Sequence, residues 1–201
     1  MRLCRFVPKS DPGRPPRWAE FEGTGADGRL LVIDGDPWSR RAGVTREIYL
    51  APSIQLCAPV VPSKIVGVGL NYRKHAEEMK KPLPDEPLLF LKPPSALLDP
   101  DADIVRPSGY SRVDFEGEVG VIVDDVPMGA SRDLALSKIR LVMLVNDVSL
   151  RNLIPNELAK GFGFFHGKPS TAFSPTAITP DELGDAWRDG KLHLPLLSTL
   201  N

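Results

Sequence analysis

The stretch VDFEGEVGVIV, residues 113–123, decides how this chain folds. Its valines, phenylalanine and isoleucine alternate with acids and glycines, the pattern of a β-strand rather than a helix. Successive side chains on a strand point to opposite faces. One face then carries Val113, Phe115, Val119, Val121 and Val123, interrupted by Gly117, and this apolar face is expected to be buried. The other carries Asp114, Glu116, Glu118, Gly120 and Ile122. Three carboxylates therefore share a face, with neighbours roughly 7 Å apart along the backbone. Like charges at that spacing repel and raise one another's pKa unless a positive charge lies between them. A hard divalent cation meets that need, because Mg²⁺ and Mn²⁺ prefer carboxylate oxygens. On spacing alone, the same residues also describe a solvated acidic edge.

Downstream, KIRLVMLVNDVS (138–149) reads as a buried strand ending in a polar turn. Asp147 stands at that end, where functional side chains project, or else caps the turn. Upstream, KIVGVGL (64–70) reads as a buried strand and NYRKHAEEMKK (71–81) as a helical turn or two stopped by Pro82. EPLLFLKPPSALL (86–98) is a strand cut by Pro93 and Pro94. Arg2–Val7 and Leu30–Ile33 are short strands separated by a Gly-, Pro- and Asp-rich loop, and Asp189-Gly190 is a hairpin turn. With 21 prolines among 201 residues, long helices are disfavoured. The expectation is an α+β, predominantly β chain, with a small N-terminal subdomain over residues 1–60 and a main domain over 61–201.

Composition excludes several classes. Lys and Arg number 25 against 26 Asp and Glu, a net charge of −1, so neither a nucleic acid nor an anionic membrane surface is an expected partner. No apolar run approaches the length of a membrane span, and the N-terminus MRLCRFVPKS has no apolar signal segment. Cys4 and Cys57 lie in no CxxC or zinc spacing, which fits a reducing cytoplasm.

His75 and Glu78 are three residues apart, which on a helix places them on one face. A carboxylate beside an imidazole fixes its tautomer and makes a competent general base, although the same spacing also describes an exposed ion pair. Two other patterns carry no chemistry. GVG before Asn71 lacks the third glycine of a dinucleotide fingerprint, since Tyr72 takes its place. Ser95 lacks the flanking glycines of a nucleophile elbow.

Taken together, KIVGVGLNYRKHAEE, EPLLFLKPPSALL, VDFEGEVGVIV, VNDVSLR and HGKPSTAFSP, in this order between Lys64 and Pro175, resemble the fumarylacetoacetate hydrolase family. The resemblance implies a mixed β-sandwich roll, assembled as a homodimer. It implies a divalent metal, Mg²⁺ or Mn²⁺ with Ca²⁺ as a further candidate, on Glu116, Glu118 and Asp147. It implies a water-activating dyad of His75 and Glu78, and Lys168 as a stabiliser of negative charge. The implied reaction is hydrolytic C–C cleavage of a small 1,3-diketo acid such as an acylpyruvate or fumarylacetoacetate. Related members act as hydratases, isomerases or decarboxylases of similar oxo acids.

Two departures from the family pattern stand out. Where the family reads like NDWSARDxQ, this chain reads NDVSLRNLI, with Asn152 in an acidic position and Ile154 in place of a substrate-side glutamine. Family members also continue past the point where this sequence ends, adding strands and a Gly/Thr-rich loop of the GTPxGVG kind. An incomplete roll would leave unpaired edges and exposed apolar surface. The alternative to a metal-dependent enzyme is thus a truncated, non-catalytic relative that acts as a binding or interaction protein.

Overall fold

The computed structural model describes residues 1–39, 42–106, 108–109, 112–161 and 163–199. The first sixty residues hold β1 (Arg2–Pro8), β2 (Arg17–Glu22), β3 (Arg29–Asp34), β4 (Gly43–Leu50) and β5 (Ile54–Cys57). The remainder holds β6 (Ile65–Gly69), α1 (Arg73–Glu78), β7 (Leu88–Lys92), β8 (Leu97–Leu98), β9 (Val113–Asp114) and β10 (Gly117–Val123). It continues through α2 (Arg132–Ser137), β11 (Ile139–Leu150), α3 (Ile154–Ala159), β12 (Ser170–Phe173), β13 (Ala177–Ile178), β14 (Trp187–Arg188) and β15 (Lys191–Leu192). The chain is predominantly β, and its helices are single short turns. None of them is long and apolar enough to cross a membrane.

Among the described residues, one eleven-stranded sheet runs in the order β4-β3-β2-β1-β13-β11-β12-β8, with β5 added to β1 and with β9 and β10 added to β11. β1 joins the two halves of the chain. It pairs antiparallel with β2 and β5 and, through Arg2 and Leu3, with β13. Its alternate side chains enter two cores. Cys4 and Phe6 pack with Ala19, Leu30, Val32 and Ile54. Leu3 packs with Ile33, Ala58, Leu141, Met143, Phe173 and Ala177.

The twelve-residue β11 is the spine of the second half, paired with β9 and β10 on one side and with β12 and β13 on the other. It runs through Asp147 to Leu150, so Asp147 sits within the strand and not at the polar turn expected from the sequence. The turn was expected because Asn146 and Asp147 are polar. Cross-strand partners on both sides satisfy the backbone there, and the strand continues.

The buried face of residues 113–123 is the reverse of the expected one. Val121 and Val123 are 46% and 51% exposed, and Phe115 is exposed as well. Ile122 instead packs on the main core. The register of β10 on β11 explains this. Ile122 lies opposite Leu141, Gly120 opposite Met143, and Glu118 opposite Val145. Leu141 is fully buried against the N-terminal half, so whichever face of β10 pairs beside it turns inward too. Gly120 makes this possible, since a Cβ there would come within 3.0 Å of Val145 Cγ2 and 3.2 Å of Met143 Cε.

The segment expected to be a buried strand at 64–70 forms β6, which among the described residues pairs only with β7, as a two-stranded ribbon. One of its faces presents Val66, Val68, Leu89 and Leu91 to solvent. The hairpin expected at Asp189-Gly190 joins β14 to β15, with positive φ at both residues (53° and 69°), the signature of a type I′ turn.

Leu141→Ala should cost about 2–5 kcal/mol in chemical denaturation, the range for a large-to-small change in a filled core. Val121→Ser should stay within about 0.5 kcal/mol, as for an exposed site. A larger loss at Val121 than at Leu141 would mean that the face assignment is wrong.

Candidate functional site

β11 lays out its inward face as a gradient. Leu141 and Met143 belong to the core, and the same alternation then delivers Asp147, Ser149 and Arg151. The pairs Gly117 with Asn146 and Asp114 with Ser149 hold one continuous register, which sets Glu116 directly across from Asp147. The Asp147 N–H donates to the Glu116 carbonyl at 2.8 Å, and the Asn146 side-chain oxygen accepts from the Glu116 N–H at 3.2 Å. Glu116 and Asp147 thus meet on one face as a directly opposed like-charged pair, which is destabilising unless compensated.

The compensation is Lys168. It is 5% exposed, and its ammonium donates to Glu116 Oε2 at 2.5 Å, Asp147 Oδ2 at 2.8 Å and Ser149 Oγ at 2.9 Å. All three of its hydrogens are therefore used. Nζ also lies 5.8 Å and 5.7 Å from the ring centroids of Phe90 and Phe164, which meet edge to face. These rings shield the ion cluster and favour the cation. Lys92, 4% exposed at the end of β7, makes an ion pair with Asp147 Oδ1. Burial pushes its pKa down, and Asp147 opposes that shift. Arg151 reaches Glu116 Oε1 at 2.5 Å and Asp114 Oδ2 at 2.9 Å.

Glu118 is the odd member. Four carboxylates (Asp114, Glu116, Glu118 and Asp147) face three cations (Lys92, Arg151 and Lys168), and among the described residues no salt bridge reaches Glu118. Burial raises its pKa, the charges of Glu116 and Asp147 raise it further, and the Tyr72 hydroxyl, with Lys168 nearby, only partly offsets this. Tyr72 immediately precedes α1. His75 and Glu78 stand on the exposed side of that helix, and among the described residues no hydrogen bond or ion pair joins their side chains to each other or to the cluster. Ile154, in the expected glutamine position, opens α3 and packs toward Gly167, its Cγ1 lying 3.2 Å from where a Gly167 Cβ would stand.

The donor chemistry suits a hard cation. Glu116, Glu118 and Asp147 offer oxygen only, and Thr171 Oγ1, buried directly across the ladder from Asp147, has no hydrogen-bond partner among the described residues. As the side chains stand, no three acidic, histidine or cysteine groups among the described residues close around one point. The Lys168 ammonium lies between two of the three carboxylates. A divalent ion would share or displace that position.

Sequence pattern alone does not single out Lys92, Ser149, Arg151 or Tyr72 as site residues. Ser149 and Arg151 were accessible by carrying the period-two alternation on from Asp147. Lys92 had a weaker signal, a lysine closing the apolar run LLFL. The sequence signal at Tyr72 is only that it breaks a glycine pattern.

The charge count gives a pH-dependent expectation. A carboxyl whose folded pKa is raised is more easily ionised in the unfolded chain. Stability is therefore lost as pH rises from the ordinary carboxylate value through the raised one. Glu118→Gln removes the penalty. In chelator at pH 7 this variant should melt above the wild type, and the difference should shrink as pH falls into the acid carboxylate range. A lower melting temperature at pH 7 would show that Glu118 is not strained in the metal-free protein.

Residues 64–197 match the C-terminal domain model of fumarylacetoacetate hydrolase. The chain is 40% identical over 139 residues to 2,4-didehydro-3-deoxy-L-rhamnonate hydrolase of a Sphingomonas species, covering 68% of this chain and 47% of that protein. It is similar in structure to 2-hydroxyhepta-2,4-diene-1,7-dioate isomerase from Mycobacterium marinum (TM-score 0.72, 26% identity, 89% of this chain and 66% of that one). It is also similar to 5-carboxymethyl-2-hydroxymuconate delta-isomerase from Mycobacterium smegmatis (TM-score 0.71, 26% identity, 89% and 67%). The chain spans about half the length of the curated relatives it matches. The matched region takes in every residue of the ion cluster, and the chain belongs to the fumarylacetoacetate hydrolase family.

Proposed function

We propose that this chain forms the metal-binding part of a divalent-metal-dependent hydrolase that cleaves a C–C bond in a small 1,3-diketo acid of the acylpyruvate kind. One observation carries the reading: Glu116 and Asp147 grip the buried Lys168, while Glu118 on the same face takes no salt bridge among the described residues and has its pKa raised by burial and by those two acids, so that negative charge is in excess. That excess prepares the site for a cation, and the loaded site would then attract an anionic oxo acid.

Glu116, Glu118 and Asp147 would hold the ion, Mg²⁺ or Mn²⁺, which when bound supplies Lewis-acid polarisation of a substrate carbonyl. The remaining work falls to the chain. His75, on the helix that leads out of Tyr72, takes a proton from water, and Glu78, one turn on, would orient the imidazole once the two side chains meet. Water oxygen bonds to the distal carbonyl carbon, and the electron pair of the broken C–C bond passes to the departing enolate. Lys168, already desolvated, would hold the negative charge of that enolate oxygen once a bound cation relieves it of Glu116 or Asp147. Phe90 and Phe164 keep water from the lysine side of the site.

The isomerase names of two solved relatives favour a second reading at the same site, in which the enolate forms without cleavage. The exposed apolar face of Val66, Val68, Leu89 and Leu91 supports an assembly that covers it, which we assign to a homodimer.

Calorimetric titration with Mn²⁺ should show saturable binding that Glu118→Gln weakens by at least about 10–100-fold. Unchanged affinity would remove Glu118 from the ligand set. In an acylpyruvate assay with metal, Lys168→Met should lower kcat by about 10²–10³-fold. His75→Ala should lower it by about 10²–10⁴-fold while sparing Mn²⁺ affinity. Metal binding without cleavage, but with a shift of the substrate double bond, would select the isomerase reading.

A further inference from the structure

Lys168 follows a stretch that has little reason to hold still. Gly161, Gly163 and Gly167 lie within seven residues of it, and the first two adopt positive φ (76° and 93°). Such a glycine-rich segment loses much conformational entropy when ordered. A four-carbon side chain can deliver its ammonium to three fixed acceptors only if its own backbone is fixed.

The anchor is Glu157, the one charged residue of the buried set that lies outside the ion cluster among the described residues. It stands on α3 and is 8% exposed. Its Oε1 accepts from the backbone N–H groups of His166 at 2.7 Å and Phe165 at 3.2 Å, and its Oε2 accepts from Gly167 N–H at 2.7 Å. Burial alone would raise its pKa, but the three amides outweigh this and hold it below the ordinary range. The Gly167 carbonyl is held from the other side by the Leu150 N–H at 2.7 Å, which ties the loop to the end of β11. A Cβ at Gly167 would stand 2.6 Å from Glu157 Oε2, so only glycine lets the carboxylate come this close. Pro169 then restricts the backbone on the far side of Lys168.

We propose that Glu157 is a positioning residue for Lys168: its carboxylate clamps three successive amides and so places the lysine against Glu116, Asp147 and Ser149. The proposal deepens the functional reading above, because it matters for catalysis only if Lys168 acts there. The chemistry demands a carboxylate. An ionised Glu is acceptor-only at both oxygens, whereas a glutamine would turn an NH₂ donor toward a backbone donor.

The test uses neither metal nor substrate, so it stands apart from the proposed reaction. The full chain is treated with formaldehyde and cyanoborohydride, and methylation of each lysine is followed by peptide mass spectrometry. In the wild type, Lys168 and Lys92 are both protected by burial. In Glu157→Gln, Lys168 should become modified about tenfold faster or more, the scale expected on losing charge-assisted hydrogen bonds. Lys92, which reaches Asp147 from β7 independently of the loop, should stay protected. That split is the signature of positioning, since a general loosening would expose both lysines. Unchanged protection of Lys168, or loss of protection at both residues, overturns the proposal. Should Glu157→Gln fail to fold, Glu157→Asp, which keeps the charge but falls one methylene short, must give the same split. Once turnover is established, Glu157→Gln should lower kcat in the wild type and have no further effect in a Lys168→Met background. Independent, multiplying effects would overturn the role through Lys168.

Discussion

The Lys168 ammonium, wedged between Glu116 and Asp147, is the interaction on which the second half of this chain depends. Two carboxylates on directly opposed residues of paired strands would push β10 and β11 apart at low dielectric. The lysine reverses the sign of that interaction at a point where water is scarce. Removing one partner from such a buried arrangement leaves a charge uncompensated, which is far more costly than the net value of the intact pair. Lys92 and Arg151 extend the same logic outward, each gripping the oxygen that Lys168 leaves free.

The neutralisation also explains why acids lie on the inward face at all. A strand whose buried side runs from Ile122 through Gly120 to Glu118 and Glu116 would be implausible if those carboxylates needed water. They are tolerated because cations arrive from three directions: β7, the turn after β11 and the loop before β12. The sheet thereby builds a polar pocket at the end of its own core without breaking the ladder. Among the described residues no salt bridge reaches Glu118, and burial beside Glu116 and Asp147 raises its pKa.

The loop that supplies Lys168 shows how a mobile composition becomes a rigid device. Its glycines permit close approach, and Glu157 exploits that closeness by taking three amides onto one carboxylate. Ile154 packs against the same loop in the position where relatives are expected to carry a glutamine. This departure from the expected family pattern therefore lies next to the anchor of the buried lysine, and Ile154 adds packing where the pattern has a polar group.

Local patterning by itself determined the class of structure and the strand that matters. The alternation over 113–123, the proline punctuation and the Asp189-Gly190 turn are nearest-neighbour effects, written in backbone sterics and side-chain period. Glu116 and Glu118 stand out as carboxylates on one strand face and Asp147 as the polar end of a buried strand, whereas their grouping as one metal set is what the family resemblance implies. Tertiary structure decided which face is inside. That choice depends on Leu141 and on the register across the ladder, which no reading of one strand contains. It also decided that Lys168 is buried, that Lys92 reaches Asp147 from a distant ribbon, and that Glu157 holds the loop. Each joins residues separated by long stretches of chain, and charge compensation acts through space rather than along the sequence.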